Sequence, residues 1–352
     1  MSLYSNPQEF EPGYLALYRS GELKRRAAAL ESRLAACDIC PRECGVNRLK
    51  GSPAIVLEGR RAGETSFCHS AYLPIVSTVC AHNGEEPVIS GSRGSGTIFF
   101  GNCNMRCVYC QNFQISQDPE KQRNKEMDFK TLAGEMLRLQ NMGCHNINFV
   151  SPSHFVPQIV RAVLEAVPIG FNLPLVYNTG GYDSVKTLKE LDGIIDIYLP
   201  DLRYSSDKWS QQFSQAPDYV SHARAAIREM YRQVGNLVID ENGIAQRGLI
   251  VRHLILPDKL AGSRESLTWL AQELSPEVTV SIMSQYYPTH LAPRIPQLAR
   301  KITLAEYDEV VDLLDELGME NGWLQEMDSS ENYRPDFERD GHPFEPSANR
   351  PN

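Results

Sequence analysis

The sequence predicts an α/β fold: a partial (β/α)6 TIM-like barrel that follows a Cys-rich N-terminal segment and precedes a C-terminal helix. From Thr97 onward, short apolar runs typical of strands alternate with segments of helical apolar spacing. Strands that alternate with helices build parallel sheets, and the six found here are fewer than the eight of a closed TIM barrel. The predicted strands are Thr97–Phe100, Ile147–Val150, Leu173–Tyr177, Ile194–Leu199, Gly248–Leu256 and Val278–Met283.

Apolar spacing also predicts the helices and divides the chain into three regions. Helical periodicity runs through residues 14–36, 132–142 and 156–163, and again through 304–317, where a last helix ends near Gly318. We predict a helix and a Cys-rich metal-binding segment in 1–95, the barrel in 96–300, and a helix with a polar tail in 301–352. The tail after Asp328 has no apolar periodicity, which predicts partial disorder.

The composition excludes several classes of function. The chain has 352 residues, 42% of them hydrophobic and 22% charged, which is ordinary for a globular protein. A formal net charge of −9 gives no support to a general nucleic-acid or anionic-membrane binder. No apolar run is long enough to span a bilayer, and the N-terminal residues lack a signal-peptide pattern. We therefore expect a cytoplasmic protein without a nucleic-acid or membrane partner.

The cysteines argue for metal binding rather than for disulfides. There are nine of them, an odd number, and most are clustered, as expected for metal ligands in a reducing compartment. Cys144 stands alone and is predicted to be a buried, apolar-like thiol. The others are Cys37, Cys40, Cys44, Cys68, Cys80, Cys103, Cys107 and Cys110.

Cys103, Cys107 and Cys110 form a C-x3-C-x2-C motif directly after the first predicted strand. Three thiolates at this spacing can bind three irons of a 4Fe-4S cluster, which leaves the fourth iron open to a substrate or cofactor. A zinc site, or three buried thiols without metal, are the alternatives. Zinc prefers a closed tetrahedral ligand set, and the nearest further ligands, Cys144 and His145, lie well downstream. The motif therefore favours a cluster with these three cysteines as metal ligands and catalytic core.

The chain resembles the radical S-adenosylmethionine (radical SAM) superfamily through C-x3-C-x-aromatic-C, in which Tyr109 is the aromatic residue. It is most similar to an uncharacterised branch related to pyruvate formate-lyase activating enzymes. This similarity extends over most of the chain as short blocks in the same order, which is more specific than the cysteine triplet alone. The blocks are Cys37–Arg48 (CDICPRECGVNR), Gly84–Pro87 (GEEP), Gly94–Phe100 (GSGTIFF), Ser151–Pro157 (SPSHFVP) and Asn178–Tyr182 (NTGGY).

The resemblance implies a 4Fe-4S cluster whose open iron binds S-adenosylmethionine through its amino and carboxylate groups. An electron from the reduced cluster cleaves the C–S bond, and the resulting 5′-deoxyadenosyl radical abstracts a hydrogen atom. The backbone beside Tyr109 is implied to meet the adenine. The glycine-glycine-glutamate that holds the methionine amino group in the superfamily is replaced here by Val150–His154, so Ser151 and Ser153 are the candidates for that role.

Further cofactor contacts are implied at the carboxyl ends of the later strands, where the loops of a barrel gather reactive groups. Each has a structural alternative: the glycines suit a turn, the aspartate can cap the next segment, and the arginine needs an anionic partner. His145 and His154 are expected to be structural. The implied contact residues are Asn178, Thr179 and Gly180 after the third strand, Asp201 after the fourth, Arg252 in the fifth, and Gln285 and Tyr286 after the sixth.

A second cysteine cluster precedes the barrel. Four thiolates would close this site, which suits a structural or electron-transferring role rather than substrate binding. Cys40-Pro41 resembles the Cys-Pro of ferredoxin ligands, but a four-Cys zinc site is equally compatible, and the absence of any metal is the third alternative. Arg42 and Arg48 could tune the charge of the site or simply face solvent. The predicted ligands are Cys37, Cys40, Cys44 and Cys68, with Cys80 or His69 as substitutes for the last.

These observations predict a radical SAM enzyme that uses a reductant such as flavodoxin or ferredoxin. Its substrate is either a protein glycine, as for the activating enzymes of glycyl-radical enzymes, or a different protein, peptide or small molecule. The rival from another class is a non-catalytic iron–sulfur electron carrier or a zinc-stabilised scaffold. That rival predicts closed clusters or zinc, and no binding of S-adenosylmethionine.

Overall fold

The computed structural model describes residues 10–50, 66–327, 335–339 and 342–344, so most of the predicted polar tail lies outside the described residues. The helices are α1 (Gly13–Arg19), α2 (Glu22–Ser32), α3 (Pro87–Ser90), α4 (Phe113–Ser116), α5 (Phe129–Asn141), α6 (Val156–Ala166), α7 (Val185–Glu190), α8 (Asp207–Ser214), α9 (Tyr219–Val234), α10 (Ser263–Glu273) and α11 (Leu304–Leu317). The strands are β1 (Val76–His82), β2 (Ser95–Phe100), β3 (Ile147–Val150), β4 (Leu175–Thr179), β5 (Ile197–Pro200), β6 (Val238–Ile239), β7 (Ala245–Leu254), β8 (Thr279–Met283) and β9 (Gly322–Leu324).

The strands form one sheet in the order β1-β2-β3-β4-β5-β7-β8-β9, with β6 as an antiparallel partner of β7. The six predicted strands correspond to β2, β3, β4, β5, β7 and β8, which pair in parallel in chain order. Among the described residues, β1 and β9 stand at the two ends of this order. The sheet is therefore an open, partial barrel, and the predicted fold class is confirmed.

Some strands and strand ends differ from the prediction. β1 is mixed in polarity and β9 is very short, so neither has an apolar run that sequence reading could detect. The predicted strand over 173–177 begins two residues later, because Pro174 has no N–H to donate to a ladder. The predicted strand over 194–199 begins at Ile197, because the N–H groups of Ile194 and Ile195 bond to the carbonyl of Leu191 in a turn.

The parallel strands are covered on both faces, which explains their continuous apolar runs. All six residues of β2 are buried. One face packs with the surrounding helices, through side chains such as Ile98, Phe100 and Phe149. The other face points into the barrel, where Val88 and Ile89 of α3 pack with the inner residues. Those inner residues are Val176, Ile197, Leu199, Ala245 and Ile250.

The predicted C-terminal helix is α11, and its ends follow capping rules. The side chain of Thr303 accepts a hydrogen bond from the N–H of Glu306, and the Glu306 carboxylate accepts one from the N–H of Thr303 (2.8 Å). Gly318 ends the helix with a φ of 67°, as predicted. None of the helices in the described ranges is long and apolar enough to cross a membrane.

Asp196 joins the N-terminal helices to the amino end of the barrel. Its carboxylate accepts hydrogen bonds from the N–H groups of Gly13 (3.2 Å) and Leu175 (3.0 Å). Burial raises its pKa from 3.8 to about 7. Folded protein therefore binds a proton here at pH values where unfolded protein does not. The free energy of unfolding therefore decreases as the pH rises from about 4 through 7, where Asp196 loses this proton in the folded protein.

We expect the variant Asp196→Asn to show a shallower fall of unfolding free energy between about pH 4.5 and 7.5, because asparagine does not titrate. The variant also loses one of the two acceptor oxygens, which lowers stability by about 1–3 kcal/mol at every pH. Urea unfolding of both proteins across this pH range measures both effects. An unchanged slope would mean that Asp196 is ionised throughout the range.

Candidate active site

Cys103, Cys107 and Cys110 lie on the loop that leaves the carboxyl end of β2. All three are free cysteines, and Cys107 is only 4% exposed. The N–H of Arg106 donates to the carbonyl of Ser214 at 2.9 Å, which fixes this loop against the end of α8. The carboxyl edge of a parallel sheet is the usual position of ligand sites in such folds. The loop is therefore in the place where a cluster could meet a ligand.

Several donors surround the thiols of this loop. The Ser214 hydroxyl donates to Cys107 Sγ at 3.0 Å, and Arg203 Nη1 donates to the same sulfur at 3.3 Å. The N–H of Met105 donates to Cys103 Sγ at 3.4 Å. Hydrogen bonds and positive charge stabilise a thiolate, which is the form of cysteine that binds metal. The donor set thus fits an iron–sulfur cluster.

Burial opposes ionisation of these thiols while nothing is bound to them. It raises the pKa of Cys103 and, with a further contribution from Cys107, the pKa of Cys110 to about 12. Metal binding deprotonates such thiols. In the part of the chain that the structure describes, no three His, Cys, Asp or Glu side chains converge as ligands of one metal ion. A 4Fe-4S cluster does not need such convergence, because each thiolate binds a different iron.

A cavity of about 170 Å³ lies beside the cysteine loop and extends into the barrel. Tyr109 and Cys110 of the cysteine loop line it, and so does Glu85 of the loop that follows β1. Its lining includes a connected group of polar and charged residues, which we call the polar wall, and several apolar residues. The polar wall contains Glu85, Asn178, Asp201, Arg203 and Arg252, and the apolar residues are Phe99, Val150, Leu254, Met283 and Phe344.

Arg252 organises the polar wall. Its guanidinium donates to Asp201 Oδ1 at 2.8 Å and to Asn178 Oδ1 at 2.6 Å, and it lies 3.4 Å from Glu85 Oε2. Asn178 Nδ2 lies 3.4 Å from both carboxylate oxygens of Glu85. Burial raises the pKa of Glu85 to about 7, although Arg252 opposes this effect. Glu85 is therefore poised to change charge when a ligand alters the balance around it.

Arg203 connects the polar wall to the cysteine loop. It donates to Asp201 Oδ2 at 2.6 Å as well as to Cys107 Sγ. Burial by itself would raise the pKa of Asp201, but Arg252 and Arg203 hold that pKa below its ordinary value. An ionised Asp201 thus stands between two guanidinium groups. A continuous chain of polar contacts runs from Glu85 to Cys107.

The structure brings five of the predicted cofactor-contact residues to the cavity: Asn178, Asp201, Arg252, Tyr109 and Gln285. The Tyr109 hydroxyl lies 2.5 Å from that of Tyr204, which holds the aromatic ring beside the cavity. The carbonyl of Gln285 accepts from Gln111 Nε2 at 3.2 Å. Their roles as cofactor contacts stay predictions.

The described lining of the cavity does not include the other predicted residues of the second and third strand ends. Ser151 has a φ of 59° and donates its N–H to the carbonyl of Asn178 at 2.9 Å. The hydroxyls of Ser153 and Thr179 lie 3.0 Å apart, and Thr179 donates to Asp183 Oδ2 at 2.6 Å. These two hydroxyls are thus engaged inside the protein.

Gly180 and Tyr286 also lie beside the cavity rather than in its described lining. A Cβ on Gly180 would meet Met105 Sδ at 3.0 Å, a tight contact that requires Met105 to shift by a few tenths of an ångström. The Tyr286 hydroxyl donates to the carbonyl of Leu298 at 2.7 Å, and its ring packs 5.8 Å from that of Tyr109. Tyr286 therefore supports the position of Tyr109.

Three residues that the sequence predicted to be structural are engaged away from the cavity. His154 Nε2 lies 3.2 Å from the carbonyl oxygen of Gly101, and burial lowers the pKa of His154 to about 3. His145 Nε2 accepts from the N–H of Arg93 at 3.2 Å. Cys144 is 2% exposed within the main core.

Sequence reasoning missed Glu85 and Arg203 as site residues. Glu85 belongs to the GEEP block, but β1 was not predicted, so nothing indicated that the loop after it enters the barrel. Arg203 follows Asp201 by two positions at the end of a predicted strand. Its position just after a strand end, where barrel sites lie, could have indicated Arg203 as a site residue.

The described parts of the C-terminal tail cover the β1 side of the cavity. The Phe344 ring lies 4.0 Å from that of His82 and 5.8 Å from that of Phe99. The Phe337 ring lies 5.2 Å from the Phe99 ring, and His342 Nε2 lies 2.8 Å from the carbonyl oxygen of Ala81. We call Phe337, His342 and Phe344 the aromatic tail segment. These three tail residues are packed against the barrel, whereas the sequence predicted partial disorder for the tail.

The four N-terminal cysteines interact electrostatically with one another, although no three of them converge as ligands of one metal ion. Cys37, Cys40 and Cys68 are buried, and Cys44 is exposed. A hydrogen bond with the Cys44 thiol lowers the pKa of Cys37 to about 5, whereas burial, assisted by Cys68, raises that of Cys40 to about 12. Cys80, a substitute ligand in the prediction, lies in β1.

Residues 97–233 match the family model described as the radical SAM superfamily. The matched region begins in β2 and includes the cysteine loop, Asn178, Asp201 and Arg203. This stretch, less than half of the chain, is thus similar to the radical SAM superfamily. The chain's membership of the branch related to pyruvate formate-lyase activating enzymes stays a prediction.

Individual proteins similar to this chain were also found. An uncharacterized protein of Methanocaldococcus jannaschii is 26% identical over 289 residues, or 81% of this chain and 75% of that protein. HydG, a maturase of the FeFe-hydrogenase, has a TM-score of 0.43 and 13% identity over 65% of this chain and 50% of its own. HydG from Carboxydothermus hydrogenoformans has a TM-score of 0.45 and 11% identity, over 87% of this chain and 67% of its own. The structure of anSMEcpe with bound AdoMet and Cp18Cys peptide has a TM-score of 0.42 and 9% sequence identity, and the match covers 61% of this chain and 56% of that one. This chain spans about half the length of the first and the last of these structures.

Proposed function

We propose that this chain is a radical SAM enzyme that holds a 4Fe-4S cluster on Cys103, Cys107 and Cys110. The observation that carries the proposal is the cavity that starts beside Cys110 and Tyr109 and extends into the barrel. A ligand of the open iron needs room at this point, and pockets with a few convergent polar groups are typical of such sites. The matched radical SAM domain covers the same loop.

When bound, the cluster would supply one electron to S-adenosylmethionine, whose C–S bond would break to give methionine and a 5′-deoxyadenosyl radical. That radical would take a hydrogen atom from the substrate, which would give 5′-deoxyadenosine and a substrate radical. A reductant of the flavodoxin or ferredoxin type, in the cytoplasm, provides the electron. The residues of the barrel bind and orient the ligand and exclude water from the radical.

The polar wall suits the methionine end of S-adenosylmethionine, which carries an ammonium and a carboxylate. Glu85 and Asp201 offer carboxylates, and Arg252 offers a guanidinium, within a buried site where charge-assisted hydrogen bonds are strong. We propose Glu85 as the partner of the ammonium group. The alternative Ser153 is less suitable, because its hydroxyl already contacts that of Thr179.

The proposed substrate is the backbone glycine of a partner protein, as the resemblance to activating enzymes suggests. The aromatic tail segment supports a peptide substrate, because a polypeptide segment of this chain already packs beside the cavity. A glycine-containing peptide deuterated at the α-carbon is then expected to transfer deuterium to 5′-deoxyadenosine. Mass spectrometry of the nucleoside checks this expectation, and unlabelled product would indicate another substrate.

The enzyme proposal is tested by anaerobic reconstitution with iron and sulfide, reduction, and addition of S-adenosylmethionine. We expect 5′-deoxyadenosine by product analysis and a changed electron paramagnetic resonance spectrum of the reduced cluster. An iron–sulfur electron carrier or a zinc-stabilised scaffold predicts neither result. A fully loaded and reduced protein that shows no product and no spectral change would contradict the proposal.

The variant Glu85→Gln is expected to weaken the binding of S-adenosylmethionine by about 10- to 100-fold, since it replaces a charged hydrogen bond worth about 1.5–3 kcal/mol. Equilibrium dialysis with labelled S-adenosylmethionine measures the dissociation constant. Glu273→Gln, which alters an exposed ion pair with Arg228, is the matched control and should bind normally. Equal affinity of both variants for S-adenosylmethionine would show that Glu85 does not bind the ligand.

A further inference from the structure

A buried guanidinium lies among the N-terminal cysteines. Arg48 is 2% exposed. It donates to the carbonyl of Ala71 at 3.0 and 3.2 Å and to that of His154 at 2.7 Å, and its Nη1 lies 3.8 Å from Cys37 Sγ. No ion pair formed between described side chains includes Arg48. Among the described residues, its positive charge is thus buried next to carbonyls and sulfur, and not next to a carboxylate.

Such a charge is costly to bury unless an anion compensates it. Neutral thiols provide little compensation, whereas metal-bound cysteines are thiolates. One such sulfur, that of Cys37, lies 3.8 Å from Arg48 Nη1. Four thiolates around an iron–sulfur core carry a net negative charge. This region therefore has the charge balance of a thiolate–metal centre.

The backbone of the cysteine segment is folded tightly around the same point. The N–H of Glu43 donates to the carbonyl of Cys40, and that of Gly45 to the carbonyl of Cys37, both at 3.0 Å. Glu43 has a φ of 38° and Gly45 a φ of 66°, and His69, next to Cys68, has a φ of 46°. Positive φ values at non-glycine residues are unfavourable and concentrate at ligand sites.

The second cysteine group also touches the first. Arg106 donates to the carbonyl of Phe67 at 2.6 Å and to that of Cys103 at 2.7 Å, so one side chain joins the neighbour of Cys68 to the catalytic loop. Arg42 lies 3.6 Å above the Phe67 ring and donates to the carbonyl of Asn104 at 3.0 Å. Two clusters held on these loops would be adjacent.

We infer that Cys37, Cys40, Cys44 and Cys68 bind a second iron–sulfur cluster, with Arg48 as its buried counter-charge. The four thiolates close the site, so this cluster binds no S-adenosylmethionine; it accepts one electron from the reductant and passes one to the first cluster. Cys40-Pro41 resembles the Cys-Pro of ferredoxin ligands, which favours iron over zinc. The electron-passing role rests on the proposed function, whereas the metal site does not.

The metal site is tested by measuring iron, sulfide and zinc in the anaerobically reconstituted wild type and in the variant C103A/C107A/C110A. We expect about eight irons and eight sulfides per wild-type chain, and about four of each in the variant. About four irons in the wild type, or one zinc per chain that persists during reconstitution, would overturn the inference. The wild-type count decides the matter even if the variant does not fold. A wild type with eight irons that fails to cleave S-adenosylmethionine would refute only the proposed function.

The role of Arg48 is tested by redox titration of the remaining cluster in the C103A/C107A/C110A background. Arg48→Gln should lower its reduction potential, because reduction adds negative charge that the guanidinium no longer compensates. Arg48→Lys keeps the charge and should stay closer to the parent. Equal reduction potentials in the parent and the Arg48→Gln variant would show that Arg48 is not the counter-charge of the cluster. A merely structural role would alter the melting temperature of both Arg48 variants without separating their potentials.

Discussion

Cys107→Ala is expected to reduce the formation of 5′-deoxyadenosine at least about a thousandfold, equivalent to about 4 kcal/mol of activation free energy. Cys107 is the most buried of the three thiols in the cysteine loop, and it accepts hydrogen bonds from Ser214 and Arg203. Its loss leaves two thiolates, too few to hold a cluster with a single open iron. Product analysis after anaerobic reconstitution, with iron content measured in parallel, checks the expectation.

Cys144→Ala is the matched control. It also removes a buried thiol, but one that lies in the core outside the described cavity lining. We expect this variant to keep the iron content and the cleavage activity of the wild type. Circular dichroism of both variants would show whether either has lost the fold. A folded Cys107→Ala protein with wild-type activity is incompatible with the proposed cluster.

Asp201→Ala is expected to lower the free energy of unfolding by about 3–5 kcal/mol, because it leaves buried charges without their partner. The guanidinium groups of Arg252 and Arg203 both bond to this carboxylate, at 2.8 and 2.6 Å. Its side chain is 8% exposed, so water cannot replace the lost acceptor well. Urea denaturation at neutral pH measures the change.

Glu273→Ala provides the comparison for Asp201→Ala. It breaks an ion pair with Arg228 at 2.6 Å, but both side chains are about half exposed, so the expected loss is below about 1 kcal/mol. Similar losses in the two variants would mean that water reaches the polar wall and screens its charges. A small loss for Asp201→Ala alone would show that the two arginines find other partners.

The aromatic tail segment and the loop after β1 illustrate what local pattern cannot reveal. β1 lacks an apolar run, and the tail is polar in composition, yet both contribute to the cavity walls. Glu85 meets Asn178 across 93 positions of the chain, and Arg203 meets Cys107 across 96. Contacts over such separations depend on how the strands pair.

The sequence by itself determined the partial barrel, its six parallel strands, the last helix and the cysteine motif. Each of these depends on spacing between residues that are close in the chain: apolar periodicity for the elements, and seven positions from Cys103 to Cys110 for the motif. Only the tertiary structure decided which charged groups face the cavity, that Arg48 is buried among thiols, and that the two cysteine loops touch. Those outcomes depend on the register and order of the strands, because register sets which side chains point inward and which loops share an edge.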